Sequence, residues 1–330
     1  MRRGAISVGA VWICLLVPAV GVAQGPEIVS VNLPLVAPSG NINGLNVNLS
    51  VTILGATRDD DDTATVMGNI VADLTMDFDP ITHGAVVVGL EFTGGVFELS
   101  SLDFALNYGL LGTLTADGQD MGGTMDTPSP PAAVTKGQFP AEDHVAIISH
   151  GTITFEGHGF VLGPAVPKTT LNMADNPIPA AGQGTGTVTV SAPDINDGVG
   201  TYYVTVDLPM ELDGEFTDEG SGVTARCTGM GAFRAQGQFS RTLPLLGDAN
   251  GDDVVDAADY IALKRHFGSS SDATWQRGDF DGDGIVDYDD LQVLIINFGV
   301  GGASPATTPE PATLGMLALG GLAILLRRRR

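Results

Sequence analysis

Cysteine and aromatic residues are scarce in this 330-residue chain. Of the two cysteines, Cys14 lies in an apolar N-terminal segment that we expect to be removed, so Cys227 has no partner for an internal disulfide. Aromatic residues make up only 6% of the sequence, whereas glycine is abundant at 45 residues. Few aromatics and many glycines favour a β protein rich in turns.

Basic residues are also few, and their placement argues against nucleic-acid binding. The chain has 15 lysines and arginines, 39 acidic residues and a formal net charge of −24. Six of the basic residues lie at the two ends, so residues 24–303 carry 38 acidic and 9 basic side chains, a net charge of −29. Such a chain repels phosphate backbones and has no basic patch to bind them. The acidity suits an exported protein that meets divalent cations.

The N-terminal segment has the parts of an export signal. Two arginines open it, an apolar stretch covers residues 6–17, and the small residue Ala23 follows. We predict a secretory signal peptide over residues 1–23, with cleavage before Gln24. An uncleaved N-terminal anchor is the alternative.

The C-terminal segment also reads as a sorting signal. Pro-Glu-Pro stands at 309–311, and an apolar stretch, Ala312–Leu326, leads into four arginines at 327–330. As a helix this stretch is about 22 Å long, shorter than a bilayer core of about 30 Å. The arginines would stay on the cytoplasmic side. These three parts, in this order, resemble the PEP-CTERM sorting domain over residues 309–330.

That resemblance implies a destination and a processing partner. An exosortase would recognise the tail and transfer the protein to the cell envelope, the outer surface or the extracellular matrix. Before processing, the C-terminal hydrophobic helix would attach the chain to the membrane. A plain membrane anchor is the alternative, and residues 300–308 read as a linker ahead of the tail.

Aspartate is concentrated in two segments that repeat at a spacing of 31 residues. A calcium loop of the EF-hand type takes oxygen ligands at positions 1, 3, 5, 7, 9 and 12, with a backbone carbonyl at position 7. These positions are Asp248, Asn250, Asp252, Val254, Asp256 and Asp259 in loop one, and Asp279, Asp281, Asp283, Ile285, Asp287 and Asp290 in loop two. Such dense carboxylates need a hard dication between them. The sequence therefore predicts two Ca²⁺ sites.

Other positions of the two loops agree with this prediction. Position 6, where the turn requires a positive φ, is Gly284 in loop two and Asp253 in loop one. A helix-like run that ends in glycine follows each loop, over residues 260–268 and 291–299. We expect the apolar side chains of both runs to face one core: Ile261, Leu263, Phe267, Leu291, Leu294, Ile295 and Phe298.

The doubled loop-helix unit, with aspartate at position 12, resembles the dockerin type I domain over residues 247–299. The resemblance implies a small α-helical module with paired F-hand calcium loops that folds around Ca²⁺ and docks onto a cohesin-like domain. Dockerins that bind cohesins often carry Ser-Thr at positions 10 and 11. Here the pairs are Ala257-Ala258 and Tyr288-Asp289, which leaves open a structural calcium module that binds no cohesin.

Residues 24–243 read as a mainly β body. Apolar and polar residues alternate through 46–54, 69–78, 102–108 and 201–208, the period of a half-buried strand. Many such strands without amphipathic helices predict an antiparallel β-sandwich or barrel. Residues 117–142 and 163–184 read as long loops.

Candidate catalytic residues in the body are few. His150 and His158 would stand about 26 Å apart on a straight strand, too far to share a metal, whereas Glu156 and His158 could share one; a polar outer face is the simpler interpretation. Asp59–Asp62 reads as a solvated turn rather than a third calcium site. The carboxylates that could serve a glycosidase are Glu91, Glu98, Glu156, Glu211 and Glu215, and their spacing selects no pair.

The sequence thus predicts an exported surface or matrix protein with a structural or binding role, plausibly toward polysaccharide. The alternative is a secreted carbohydrate-active enzyme of the glycoside hydrolase kind. In that case the β body would be catalytic and the calcium module would attach it.

Overall fold

The computed structural model describes residues 26–79, 82–196, 198–218 and 223–301. They form two compact units that divide between Leu243 and Pro244. The predicted signal peptide and the predicted sorting tail, with its apolar stretch Ala312–Leu326, lie outside these ranges. Within the ranges, no helix has the length and apolar character that a membrane span requires.

The first unit is a β body. Its described strands are β1 Glu27–Pro34, β2 Gly44–Ile53, β3 Ala56–Phe78, β4 Ala85–Leu99, β5 Leu102–Asn107, β6 Thr113–Met125, β7 Ala132–Ala133, β8 Gln138–Pro140, β9 Val145–His158, β10 Thr169–Asn172, β11 Ile178–Gly182, β12 Thr185–Val190, β13 Asp194–Asn196, β14 Val199–Asp218 and β15 Val223–Thr242. A short helix, α1 Leu162–Ala165, and a 3₁₀ turn, Gly109–Leu111, interrupt them.

All of these strands belong to one large antiparallel sheet. The main order is β1-β3-β2-β15-β14-β11-β9-β6-β4-β7. β3 pairs with β2 through its first half and with β4 through its second, so the pairings that run from β3 through β2 to β4 return to β3. The buried apolar residues of these strands make one continuous core. The prediction of a mainly β, antiparallel body is confirmed.

Period-2 alternation sets the register of the sheet. In β2, Val47, Leu49 and Val51 are buried, while Asn48 on the opposite face donates a hydrogen bond to Asp61 of β3 at 2.9 Å. A one-residue slip would turn every buried side chain of the strand toward water, so the pattern fixes the pairing strongly.

The prediction of long loops at residues 117–142 and 163–184 is wrong in part. Strand β6 continues to Met125 and is followed by β7 and β8, while β10 and β11 lie within 163–184. A register shift between Gln119 and Gly122 breaks the alternation of β6, so Met121 and Gly122 are buried one after the other. A bulge of this kind interrupts the alternation of buried and exposed residues, so the sequence pattern no longer indicates a strand.

The interpretation of Asp59–Asp62 as a turn is also wrong, because these residues lie inside β3. Asp60 and Asp62 accept hydrogen bonds from backbone N–H groups of β5, both at 2.8 Å. Their carboxylates therefore supply acceptors for backbone N–H groups of β5, which does not pair with the backbone of β3. The run of acids is part of the sheet.

The second unit contains helices α2 Ala257–His266 and α3 Tyr288–Asn297 and a 3₁₀ turn, Trp275–Arg277. Gly268 and Gly299 follow the helices with φ of 83° and 88°, which confirms them as helix stops. Its hydrophobic core consists of Ala249, Val255, Leu263, Phe280, Val286 and Leu294. The prediction that both helical runs turn their apolar side chains inward is wrong for Ile261, Phe267, Ile295 and Phe298, which are exposed.

A buried histidine makes the stability of the body sensitive to acid. Neither ring nitrogen of His144 has a hydrogen-bond partner, and the ring packs edge-on against Phe92 with centroids 4.8 Å apart. Burial lowers the pKa of His144 from its ordinary 6.5, against the opposing effect of Asp143. The unfolded chain therefore takes up a proton near that value while the folded body does not.

We therefore expect the contribution of His144 to the unfolding free energy of the body to be highest above pH 6.5 and to fall, by at most about 1.4 kcal/mol per pH unit, as the pH drops toward the lowered folded pKa. His144→Leu should reduce this slope in denaturant titrations between pH 5 and 7, leaving the effect of His83, whose pKa burial also lowers. His158→Gln, at an exposed histidine of β9, is the matched control. An unchanged slope in His144→Leu would contradict the assignment.

Candidate metal centre

The first aspartate of each acidic loop turns the chain back on itself. Asp248 accepts hydrogen bonds from the N–H groups of Gly251 at 2.7 Å and Asp253 at 2.8 Å. In loop two, Asp279 accepts from the equivalent residues, three and five positions further on, at 2.8 and 3.2 Å. Position 1 thus fixes the curvature of both loops in the same way.

Positions 3, 5 and 9 each accept a hydrogen bond from the backbone N–H two residues ahead. In loop two the acceptors are Asp281, Asp283 and Asp287, at 3.1, 2.7 and 2.8 Å. Loop one repeats the three bonds at 2.9, 3.1 and 2.7 Å. One oxygen of each side chain is thereby oriented by the backbone, as in other aspartate turns.

Position 12 closes each loop onto the helix that follows. Asp290 is fully buried and accepts three backbone N–H groups, from Phe280 at 2.6 Å, Asp281 at 3.2 Å and Asp287 at 2.8 Å. Asp259 does the same in loop one. Positions 9 and 12 also form a reciprocal capping box at the start of α2 and of α3. Loop and helix are therefore one folded element.

Position 8 ties each loop to the far end of the opposite repeat. Val255 exchanges backbone hydrogen bonds with Gly299 and Val300, which follow α3, at 2.8 and 3.0 Å. Val286 exchanges bonds with the residues that follow α2 at 2.7 and 2.9 Å. Both valines are buried in the core of the unit. The loop of each repeat is therefore hydrogen-bonded to the end of the other repeat.

Position 6 has the backbone conformation that the loop requires. Gly284 has φ 85° and Asp253 has φ 62°. A positive φ costs glycine little but strains other residues, of which aspartate is among the more tolerant. Loop one therefore carries a small conformational strain that loop two lacks.

Negative charge converges at the centre of loop two. One carboxylate oxygen from each of Asp279, Asp281 and Asp283 lies within 4.8 Å of the others. Burial raises the pKa of Asp279 above its usual value, partly offset by its backbone hydrogen bonds and reinforced by Asp281 and Asp283. Burial likewise raises the pKa of Asp290. Folding without a cation thus forces ionised groups together at a cost.

Loop one has the same design with one charge fewer. Position 3 is Asn250, whose amide donates to Asp252 at 2.9 Å. Burial raises the pKa of Asp248, and its backbone hydrogen bonds oppose the effect. The proposed ligand positions of both loops carry carboxylate, amide and carbonyl oxygens and no soft ligand, a donor set that fits Ca²⁺.

A tryptophan that the sequence patterns did not single out supports loop one. The indole N–H of Trp275 donates to the backbone carbonyl of Asp248 at 2.6 Å, and its ring packs edge-on against Phe280 with centroids 5.4 Å apart. It thereby links the first residue of loop one to the start of loop two. Only its place between the two loops could have drawn attention to it.

The histidines of β9 are not brought together in a metal site. His150 contacts both carboxylate oxygens of Glu98, at 3.1 and 3.2 Å, and His158 contacts Thr115 at 3.2 Å. Glu156 pairs with Lys168 at 3.8 Å. These exposed pairs agree with a polar outer face on the sheet.

The five candidate glutamates of the body also lie on the outside of the sheet. Glu98 and Glu156 take part in the pairs just described, Glu215 stands opposite Arg226, and Glu211 and Glu91 stand opposite Met230 and Asp73. The cavity inside the body is lined by apolar side chains and Cys227, with none of these glutamates among its lining residues. This cavity therefore lacks the paired carboxylates that a glycosidase needs.

Comparison with protein families finds two matches, both in the C-terminal part of the chain. Residues 246–298 match the model of the dockerin type I domain, and residues 307–330 match the PEP-CTERM protein-sorting motif. The β body matches no family model, and no curated protein or solved structure matches the chain. Both resemblances seen in the sequence are thereby confirmed.

These two matches define the class of protein. Dockerin type I domains bind calcium, and PEP-CTERM motifs are sorting signals processed by an exosortase. The chain is therefore an exported protein of the cell surface or extracellular space that carries a calcium-binding dockerin module.

The geometry of position 12 predicts that Asp290→Asn destabilises the second unit although it removes only one charge. An amide in place of one carboxylate oxygen would meet a backbone N–H that then lacks an acceptor, which costs about 1–3 kcal/mol. Thermal unfolding of the calcium-loaded chain, followed by tryptophan emission, measures the loss. Asp289→Asn removes the same charge from an exposed neighbour and should change stability little. Equal effects of the two variants would contradict the role of position 12.

Proposed function

We propose that the protein is a structural or binding protein of the cell surface or extracellular matrix, attached through a dockerin module that folds around two calcium ions. The observation that carries the proposal is the identical hydrogen bonding of the two acidic loops, position by position. A chance run of surface acids has no reason to repeat it.

The proposed ligands are the oxygens at positions 1, 3, 5, 7, 9 and 12 of each loop. They belong to Asp248, Asn250, Asp252, Val254, Asp256 and Asp259, and to Asp279, Asp281, Asp283, Ile285, Asp287 and Asp290, with Val254 and Ile285 contributing backbone carbonyls. The ion would supply the positive charge that the backbone N–H groups cannot. The loop residues hold their oxygens toward one point through the aspartate turns and position 12.

We expect loop two to bind calcium more tightly than loop one. Loop two has five carboxylates among its proposed ligands, and loop one has four. Loop two also has Gly284 where loop one has Asp253 with a positive φ. More ligand charge and less backbone strain both favour the bound state.

The proposed attachment partner is a cohesin-like domain, which would dock on α3. Ile295 and Ile296 are 62% and 79% exposed, whereas the equivalent residues of the first repeat are Lys264 and Arg265. A solvated helix at this place in the repeat thus carries charge, and α3 carries β-branched apolar side chains instead. Phe298, also exposed, extends this apolar face. Exposed apolar surface of this kind marks interaction sites.

For the β body we propose a binding role toward polysaccharide. Short hydroxyl, amide and carboxylate side chains cover the outer face of β2 and β3. Thr63 donates to Asn46 at 2.9 Å, and Thr52 and Thr57 share a hydrogen bond of 2.8 Å. Such groups can exchange these bonds for bonds to sugar hydroxyls. The position of the five candidate glutamates on the outside of the sheet favours this role over catalysis.

Tryptophan fluorescence tests the calcium sites directly. After cleavage before Gln24 the chain has a single tryptophan, Trp275, because Trp12 lies in the predicted signal peptide. Adding Ca²⁺, but not Mg²⁺, to chelator-treated protein should change its emission saturably, and calorimetry should count two ions. Asp283→Asn should abolish one of the two binding events, and Asp253→Gly should tighten the other. No calcium uptake at millimolar concentration would contradict both sites.

Docking is tested by exchanging the residues of the two repeats. Ile295→Lys combined with Ile296→Arg gives α3 the side chains that α2 already carries, so calcium-dependent folding should persist while affinity for a type I cohesin domain falls by about tenfold or more. Lys264→Ala with Arg265→Ala is the control. Equal effects of the two double variants would contradict docking through α3. No binding by the unaltered chain would contradict the cohesin-like partner and leave the calcium sites untouched.

A further inference from the structure

Three apolar side chains project from separate turns of the β body. Leu54 is in the turn between β2 and β3, Leu110 is in the 3₁₀ turn between β5 and β6, and Phe160 follows β9. Phe160 is 96% exposed, Leu54 is 71% exposed and Leu110 is fully exposed. We call these three residues the apolar tips.

The apolar tips lie at the same end of the body. The hydroxyl of Tyr108, two residues before Leu110, donates to the carbonyl of Val51, three residues before Leu54, at 2.6 Å. A Cβ atom built on Gly159 would lie 3.0 Å from the Cα of Gly112, so the turn that carries Leu110 also adjoins the one that carries Phe160. The three turns are therefore neighbours.

Leu54 occupies its turn against its conformational preference. It has φ 51° and precedes Gly55 with φ 80°, the pattern of a type I′ hairpin turn, which prefers Asn-Gly. Among the described residues, it is the only aliphatic one with a positive φ; the other non-glycine residues are Asn43, His83, Asp120, Lys136 and Asp253. The fold alone would favour asparagine here, so a contact outside the body accounts better for leucine.

Leu110 and its immediate neighbour Leu111 lie in opposite environments. Leu111 packs against the core of the body, whereas Leu110 points away from it. The backbone of this turn is satisfied internally, since Tyr108 donates to Gly112 at 2.9 Å, Leu111 donates to Tyr108 at 3.4 Å and Gly112 donates to Gly109 at 3.2 Å. In the turn after β9, Gly163 donates to Gly159 at 3.1 Å. These bonds lower the cost of moving the tips out of water.

We propose that the apolar tips insert into the interfacial layer of a zwitterionic phospholipid bilayer. Each tip projects singly from its own turn, whereas a stable protein interface needs a continuous matched surface of about 800 Å² per partner. A fluid interface adapts to isolated projecting side chains. Before processing, the apolar stretch Ala312–Leu326 of the sorting tail would also hold the chain near a membrane.

Charge decides which bilayer fits. Residues 24–243 contain 26 acidic and 6 basic side chains. A body with this excess of negative charge is repelled by anionic lipid, so apolar burial drives insertion and a zwitterionic surface suits it best. Insertion should therefore persist at high salt, unlike binding that depends on charge.

The test uses residues 24–301 with Ca²⁺, because the apolar tail would bind vesicles by itself and both hydrophobic cores lie within this range. The unaltered protein should co-sediment with phosphatidylcholine vesicles at low and at high salt. Leu54→Asn, Leu110→Ser and Phe160→Ser together should lower partitioning by about tenfold or more. Leu54→Asn also gives the turn its preferred residue, so thermal stability should not fall.

Ile195→Ser is the control. Ile195 is an exposed apolar residue of β13, which pairs with the first residues of β14, so this variant should bind as the unaltered protein does. A second readout is Phe160→Trp, whose introduced indole should shift its emission to the blue with these vesicles. The proposal is overturned if the unaltered protein stays in the supernatant, or if the triple variant co-sediments equally well. Binding only to phosphatidylglycerol vesicles and only at low salt, or tip-dependent binding to a polysaccharide or protein without vesicle binding, would overturn it too.

Discussion

The calcium module depends on carboxylates that accept hydrogen bonds from backbone N–H groups. In loop two alone, eight such bonds run to five aspartates. These bonds set the curvature of the loop and the start of α3, but N–H dipoles do not cancel a net charge of −5. The same residues that shape the loop therefore favour a bound cation, and on this ground we expect folding to be coupled to calcium binding.

The internal repeat separates what the fold requires from what contacts with partners require. Both repeats keep aspartate at positions 1 and 12, valine at position 8 and glycine after the helix, and the structure shows each of these residues making the same contacts. The repeats differ where side chains are exposed, as at Lys264 and Ile295. Because each repeat serves as a reference for the other, the apolar face of α3 cannot be a requirement of the loop-helix unit itself.

Much of this architecture could be predicted from the sequence because it depends on local periodicity. The alternation in β2 and the spacing of the aspartates both report local geometry, and the family comparisons confirm the calcium module. The strand β6 was missed because its bulge breaks the alternation at Met121. The exposure of Ile295 was missed because helical periodicity does not show which apolar side chains a small core can accommodate.

Two runs of aspartate in this chain show that backbone curvature, rather than charge density, brings carboxylates together around a metal. Asp59–Asp62 lies in an extended strand, where successive side chains point to opposite faces and alternate ones are about 7 Å apart. Hydrogen bonds from Asn48 and from backbone N–H groups of β3 and β5 occupy carboxylates of this run instead. In loop two, glycines at positions 4 and 6 let the chain curl, so that carboxylates two residues apart converge to within 4.8 Å. Curvature turns an acidic run into a cation site, and the glycines, not the aspartates, distinguish the two cases.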